Sequence, residues 1–155
     1  MIGDKLVIQD GHVEAGLRLV DLLLPQIRQI QGRFIVTIAG ESGSGKSELA
    51  VALSKALWEK GVRSAIIQQD DYFVYPPKTN ARMRREDISW VGLPEVRLDL
   101  LDQNLQEIMD GKSEIKKPLV IFDEDLITEE TLRLDGATAI IVDGTYTSVL
   151  KNAHQ

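Results

Sequence analysis

The sequence predicts an α/β fold, a parallel sheet with helices on both faces, and three observations carry that expectation. Apolar, β-branched runs alternate with segments of helical spacing, the pattern of strand–helix–strand units. One run passes through a glycine-rich loop directly into a helix. The loop and two aspartates, Asp70 and Asp143, follow apolar runs and so fall at strand carboxyl ends, where parallel sheets gather their ligands.

Taken in order, KLVIQ (Lys5 to Gln9) reads as a short strand and Asp10 with Gly11 as a turn. Val13, Leu17, Val20, Leu24 and Ile27 recur at helical spacing, so residues 12 to 31 read as one or two helices. Pro25 either kinks the first or starts the second. This region is expected to pack on the sheet rather than bind a partner. Gly32 then releases the chain into RFIVTIA (Arg33 to Ala39), the first core strand. ELAVALSKALW (Glu48 to Trp58) is rich in helix formers and ends at Gly61. SAIIQQ (Ser64 to Gln69) is the next strand, ending in Asp70 and Asp71. The stretch from Tyr72 to about Glu95 contains Pro76, Pro77 and three arginines, Arg82, Arg84 and Arg85, and reads as a functional loop. Val96 to Asp110 forms a helix closed by Gly111, LVIF (Leu119 to Phe122) a short apolar run, and TEETL (Thr128 to Leu132) a brief helical turn. ATAIIV (Ala137 to Val142) is a buried strand ending at Asp143 and Gly144.

The chemistry is read first from GESGSGKS (Gly40 to Ser47). Three glycines leave consecutive backbone N–H groups unobstructed, so the loop can fold into a concave nest for an anion, reinforced by the positive end of the helix that follows. The spacing matches G-x-x-x-x-G-K-[ST], in which the lysine reaches the outer phosphates and the next hydroxyl serves Mg²⁺. Gly40, Glu41, Ser42, Gly43, Ser44, Gly45, Lys46, Ser47 and Glu48 are therefore the expected nucleotide-binding residues, and Ser47 a metal contact. A flexible Gly/Ser linker is the plainer alternative, and the strand before and helix after argue against it.

Phosphoryl transfer needs the triphosphate's charge neutralised and an acceptor hydroxyl aligned, often beside a carboxylate that takes its proton. Asp70 and Asp143 are candidates for the two carboxylate roles, set against the ordinary reading of each as a turn or cap after a strand. Asp143, delivered by a buried strand beside the loop, suits the second metal contact. Asp123 is its rival, although Lys116, Lys117 and Pro118 before it look more like an edge strand or hairpin. The basic stretch RMRR (Arg82 to Arg85) suits an anionic acceptor or a phosphate, or forms a solvated face. Tyr72, Phe73, Tyr75 and Trp90 are either acceptor-pocket or packing residues.

Length and composition set bounds. The 155 residues, 43% hydrophobic and 27% charged, suit one soluble domain with a core of its own, residues 33 to 155 binding nucleotide behind a helical extension over residues 1 to 32. A net charge of −6 argues against broad nucleic-acid binding. The absence of cysteine excludes disulfides and thiolate metal sites. No leader pattern or membrane-length apolar stretch is present in the sequence, so a cytoplasmic location, no membrane partner and room for a homo-oligomer are expected.

The order of motifs resembles the uridine kinase and phosphoribulokinase family of P-loop kinases, from Arg33 to Tyr146. The resemblance rests on IAGESGSGKS (Ile38 to Ser47), QDDYF (Gln69 to Phe73), Ser89 and Trp90, LDLL (Leu98 to Leu101), Gly111 and Lys112, Lys117 and Pro118, Phe122 and Asp123, and IVDGTY (Ile141 to Tyr146). It implies a P-loop NTPase-type sheet and an ATP-dependent kinase using Mg²⁺. Asp70 corresponds to the catalytic base, Lys46 acts on the phosphates, and Asp143, where the family usually has glutamate, serves the metal. By their own chemistry, Tyr72, Phe73, Arg82, Arg85 and Trp90 are the candidates for contact with a small hydroxyl acceptor.

The chain departs from uridine kinases where WVGLP (Trp90 to Pro94) replaces an Asp-His-Pro stretch and FDEDL (Phe122 to Leu126) replaces a Tyr-Asp with following histidine and arginine. The only histidines are His12 and His154, so the acceptor stays open among nucleosides, sugars and related molecules. The family continues past the last motif into further strands and an arginine-bearing lid, whereas this sequence ends at Gln155, which implies a fragment or a kinase without that lid. A regulatory GTPase would need Asn-Lys-x-Asp and a transport ATPase Leu-Ser-Gly-Gly-Gln, and neither occurs. The remaining alternative is a non-catalytic nucleotide-binding module.

Overall fold

The computed structural model describes residues 1–153, so His154 lies outside the described residues. Its strands are β1 (Phe34–Ala39), β2 (Ser64–Gln68), β3 (Glu114–Ile121), β4 (Leu126–Arg133) and β5 (Ala139–Gly144). The helices are α1 (Asp10–Gln29), α2 (Lys46–Glu59), α3 (Pro77–Glu86) and α4 (Leu98–Met109). Three strands form a parallel sheet in the order β1-β5-β2, and β3 with β4 forms a separate antiparallel hairpin.

β5 explains the layers. It is buried along its whole length, and its alternating side chains feed two cores. Ala139 and Ile141 face Leu53 and Leu57 of α2 and Val20 and Ile27 of α1. Ile140 and Val142 face the opposite way, onto Leu101, Leu105 and Ile108 of α4. Each large apolar side chain fully buried this way contributes roughly 1.5–3 kcal/mol relative to exposure, which makes β5 the strand that cannot shift register. The parallel register pairs Ile38 of β1 and Gln68 of β2 with Asp143 of β5, so the three carboxyl ends are level.

Several local expectations are corrected. KLVIQ forms no strand: Val7 and Ile8 are exposed, and the pairing in this region falls earlier, where Ile2 bridges Ile121. Residues 10–29 are one helix with Pro25 inside it. The segment after Tyr72 is largely helical; Pro77 supplies the first turn of α3, and Asp125 in the β3–β4 turn accepts from the Lys78 N–H at 2.6 Å to cap it. TEETL lies in β4, because cross-strand pairing with β3 overrides the helix propensity of its glutamates and leucine. Lys117 stands directly opposite Glu130, and their side chains meet at 2.8 Å.

Candidate active site

The loop Gly40–Ser47 leaves β1 and enters α2. Gly45 is the N-cap of α2 at φ +83°, a left-handed conformation that costs glycine little. With no capping side chain in the way, the first N–H groups of α2 stay open to an anion. Lys46 Nζ donates to the Glu41 carbonyl at 2.6 Å, folding the lysine back along the loop.

Asp143, at the end of β5, is 3% exposed and accepts a short hydrogen bond from Ser47 Oγ on one carboxylate oxygen. Its other oxygen, Oδ1, is buried with no partner among the described residues. A buried carboxylate oxygen without a hydrogen bond is costly, and its chemistry suits contact with a cation. Burial pushes the Asp143 carboxyl up, against the downward pull of the Ser47 hydrogen bond and the Lys46 charge. The donor set of hydroxyl and carboxylate oxygens fits Mg²⁺, which takes few protein ligands and keeps water and phosphate oxygens. No cluster of three or more His, Asp or Glu side chains suited to a metal occurs among the described residues.

Asp70 sits in the short turn Gln69–Tyr72 that follows β2. Burial, then repulsion from Asp143 and Asp71, raises its carboxyl above the usual range, with Lys46 opposing. Asp71, its neighbour, points elsewhere. It is 2% exposed and bonds Lys117 Nζ at 2.6 Å, the Val120 N–H at 3.0 Å and the N-terminal amine at 2.9 Å. Adjacent aspartates thus diverge, one into the cleft and one into a buried ionic cluster.

The cleft has a volume of about 630 Å³ and runs from Glu41, Ser42 and Lys46 past Asp70 to Phe73, Arg84 and Tyr146. Phe73 is therefore placed where the sequence suggests. Tyr72 is not: its side chain is fully buried and its hydroxyl donates to Asn104 Oδ1 at 2.8 Å, making it a core residue. Arg82 and Arg85 lie on the exposed side of α3, Arg82 facing Glu86, and neither lines the cleft. Trp90 stands behind the wall, donating from its indole to Asn80 Oδ1 at 2.7 Å and tilted against Tyr75. Glu48 turns away from the loop to accept the Val7 N–H. Asp123 falls in the β3–β4 turn.

The residue that replaces Arg82 and Arg85 is Arg84. Its guanidinium grips Glu95 through two bonds of 2.6 and 2.9 Å and lies over the Phe73 ring at 5.8 Å. Asn80 donates to the same carboxylate at 3.0 Å. Burial of Glu95 would raise its carboxyl, but these bonds outweigh it and hold the group below the usual range. The sequence signals missed here were Pro77 as a helix start, which puts Asn80 and Arg84 four residues apart on one face, and the lone acid before Val96.

Residues 35–155 match the phosphoribulokinase / uridine kinase family. The chain belongs to this family. A uridine kinase from Leuconostoc citreum (strain KM20) is 28% identical over 111 residues, covering 71% of this chain and 51% of the relative. The chain thus spans about half the length of the curated relative it matches. A solved structure described as that of a possible uridine kinase from Bacillus stearothermophilus superposes with a TM-score of 0.68 at 23% identity, covering 87% of this chain and 73% of the other. D-glycerate 3-kinase from Cryptococcus neoformans does so with a TM-score of 0.58 at 16% identity, over 84% and 51%. These two likenesses establish the shared fold. Among the described residues no helix is long and apolar enough to cross a membrane.

Proposed function

We propose that this chain is the nucleotide-binding part of an ATP-dependent kinase that transfers the γ-phosphoryl group to a hydroxyl of a small molecule, a nucleoside, sugar or related acceptor. One observation carries the reading: the phosphate loop, Asp70 and the bare oxygen of Asp143 meet at the level carboxyl ends of three parallel strands, with Lys46 and Asp70 lining a single cleft. Family membership supports the kinase class, and the uridine kinase relative supports a hydroxyl acceptor.

In this reading the open N–H groups of the loop and Lys46 hold the phosphates. Ser47 Oγ and Asp143 would hold Mg²⁺, which supplies charge neutralisation when bound. The acceptor hydroxyl sits beside Asp70. Its oxygen forms a bond to the γ-phosphorus as the bond from that phosphorus to the β-phosphate bridging oxygen breaks, ADP leaves, and the hydroxyl proton passes to Asp70. The raised basicity of Asp70, due to burial and to Asp143, suits a proton acceptor. Phe73, Tyr146 and the Arg84–Glu95 pair form the acceptor wall.

The test is turnover of Mg-ATP by the full-length protein across nucleosides, sugar phosphates and small hydroxy acids. Phosphorylation of one class assigns the acceptor. Tight Mg-ATP binding with transfer to none of them would replace the kinase by a non-catalytic nucleotide-binding module.

A further inference from the structure

Helix α1 precedes the family-matched residues, yet its first turn is in contact with the phosphate loop. His12, Gly16 and Val20 step by four along one face of α1, and Gly16 and Val20 are buried against α2. Gly16 fixes the register: a Cβ there would stand 2.9 Å from the Ala52 carbonyl carbon, so any other residue would push the helices apart. One turn earlier, that register sets the His12 ring against Gly45. Its Nε2 lies 2.8 Å from the point a Cβ on Gly45 would occupy.

The ring's orientation is fixed from behind. Nδ1 accepts the Gln9 N–H at 3.1 Å, which leaves the proton of a neutral imidazole on Nε2. That N–H has no acceptor among the described residues and is aimed at the residue immediately before Lys46 and Ser47. It therefore stands beside the loop as a side-chain donor contributed by α1.

We propose that His12 is a nucleotide-binding residue, its Nε2–H donating to a phosphate oxygen held by the loop, so that α1 completes the phosphate site from outside the family core. This rests on the phosphate-loop reading of the function. The capping box that Gln9 and His12 form at the start of α1 accounts for the Nδ1 bond, but it leaves the Nε2–H directed at the loop without a role.

The experiment is calorimetry of Mg-ADP binding to the full-length protein, to His12→Ala, to His12→Gln and to Lys46→Ala, with melting temperatures measured without ligand. His12→Ala is expected to bind about tenfold more weakly, the scale of one hydrogen bond to a charged group. His12→Gln, which keeps a terminal N–H donor, is expected to recover most of that loss while melting no higher than His12→Ala. Unchanged affinity in His12→Ala beside a clear loss in Lys46→Ala overturns the role of His12 and leaves the phosphate loop standing. Equal weakening in both His12 variants, tracking a common drop in melting temperature, overturns it in favour of a structural cap. Absence of Mg-ADP binding in the unmutated protein overturns both readings.

Discussion

The phosphate-loop wall of the cleft is held by backbone geometry over apolar packing: a left-handed Gly45, the start of α2, and a strand, β5, buried on both faces. The opposite wall is held by charge. Arg84 and Glu95 fix α3 to the segment before α4, and Asp71, Lys117 and Glu130 fix the β3–β4 hairpin under the turn that carries Asp70. The difference suits the two jobs of the proposed kinase. Every nucleotide offers the same phosphates, so one rigid cradle of N–H groups serves. An acceptor is recognised by particular polar groups, and side chains on separate elements can be varied without disturbing the cradle.

The largest effect is expected where the charged wall is most deeply buried. Lys117 is 4% exposed between Asp71 and Glu130. Lys117→Met keeps the stem but takes the buried cation from Asp71, which retains the Val120 N–H and the N-terminal amine, and from the partly exposed Glu130. It is expected to lower unfolding stability by about 3 kcal/mol, the low end of the roughly 3–5 that breaking a buried pair costs. Adding Asp71→Asn should recover part of that loss in a double-mutant cycle. Denaturant melts showing Lys117→Met as stable as the parent would break the idea that charge holds this wall.

Next is the cradle itself. Lys46→Ala is expected to leave the melting temperature nearly unchanged and to weaken Mg-ATP binding by about tenfold to a hundredfold, the range of a charge-assisted bond to phosphate. Titration calorimetry at constant salt reads this directly, and a folded variant with parental affinity would remove the lysine from the phosphate site.

The smallest effect is a pH dependence. The Glu95 carboxyl is held below its usual range by Arg84 and Asn80 against the opposing effect of burial, so its protonation is favoured more in the unfolded chain than in the folded one. Its stabilisation is fully present at neutral pH and is lost as pH falls from about 4.3, the ordinary glutamate value, through the lower folded one. The stability gap between the parent and Glu95→Gln should therefore close on acidification. Arg84 is half exposed, so the gap at neutral pH is expected to be about 1 kcal/mol after solvent screening. A gap that widens in acid would contradict the sign.

The same contrast decides what the sequence makes legible. The cradle is eight contiguous residues between a strand and a helix, so spacing alone places Lys46 and Ser47, and an apolar run delivers Asp143. The three-stranded parallel sheet with helices on both faces is legible for the same reason, since each strand is a local pattern. The charged wall depends on pairings between residues far apart in the chain, such as Asp71 with Lys117 and Lys78 with Asp125. Nothing local distinguishes Arg84 from Arg82 and Arg85 until α3 exists and its phase turns only Arg84 toward Glu95. Likewise TEETL has helix-forming residues, and only the facing lysines of β3 make it a strand. As an aromatic in the segment after β2, Tyr72 reads as either a pocket or a packing residue, and the four-residue turn there takes its side chain into the core.

In the proposed reaction Asp70 accepts a proton in phosphoryl transfer while its neighbour Asp71 only supports the structure. Asp70→Asn keeps size and hydrogen bonding but removes the base, so in the full-length protein, with an acceptor identified, transfer measured by ADP release should fall by about 10²–10⁴-fold, the scale of a lost general base. Mg-ATP affinity measured on the same sample should stay near the parental value. Full transfer in a folded, nucleotide-binding Asp70→Asn would contradict the account and move the base elsewhere in the cleft.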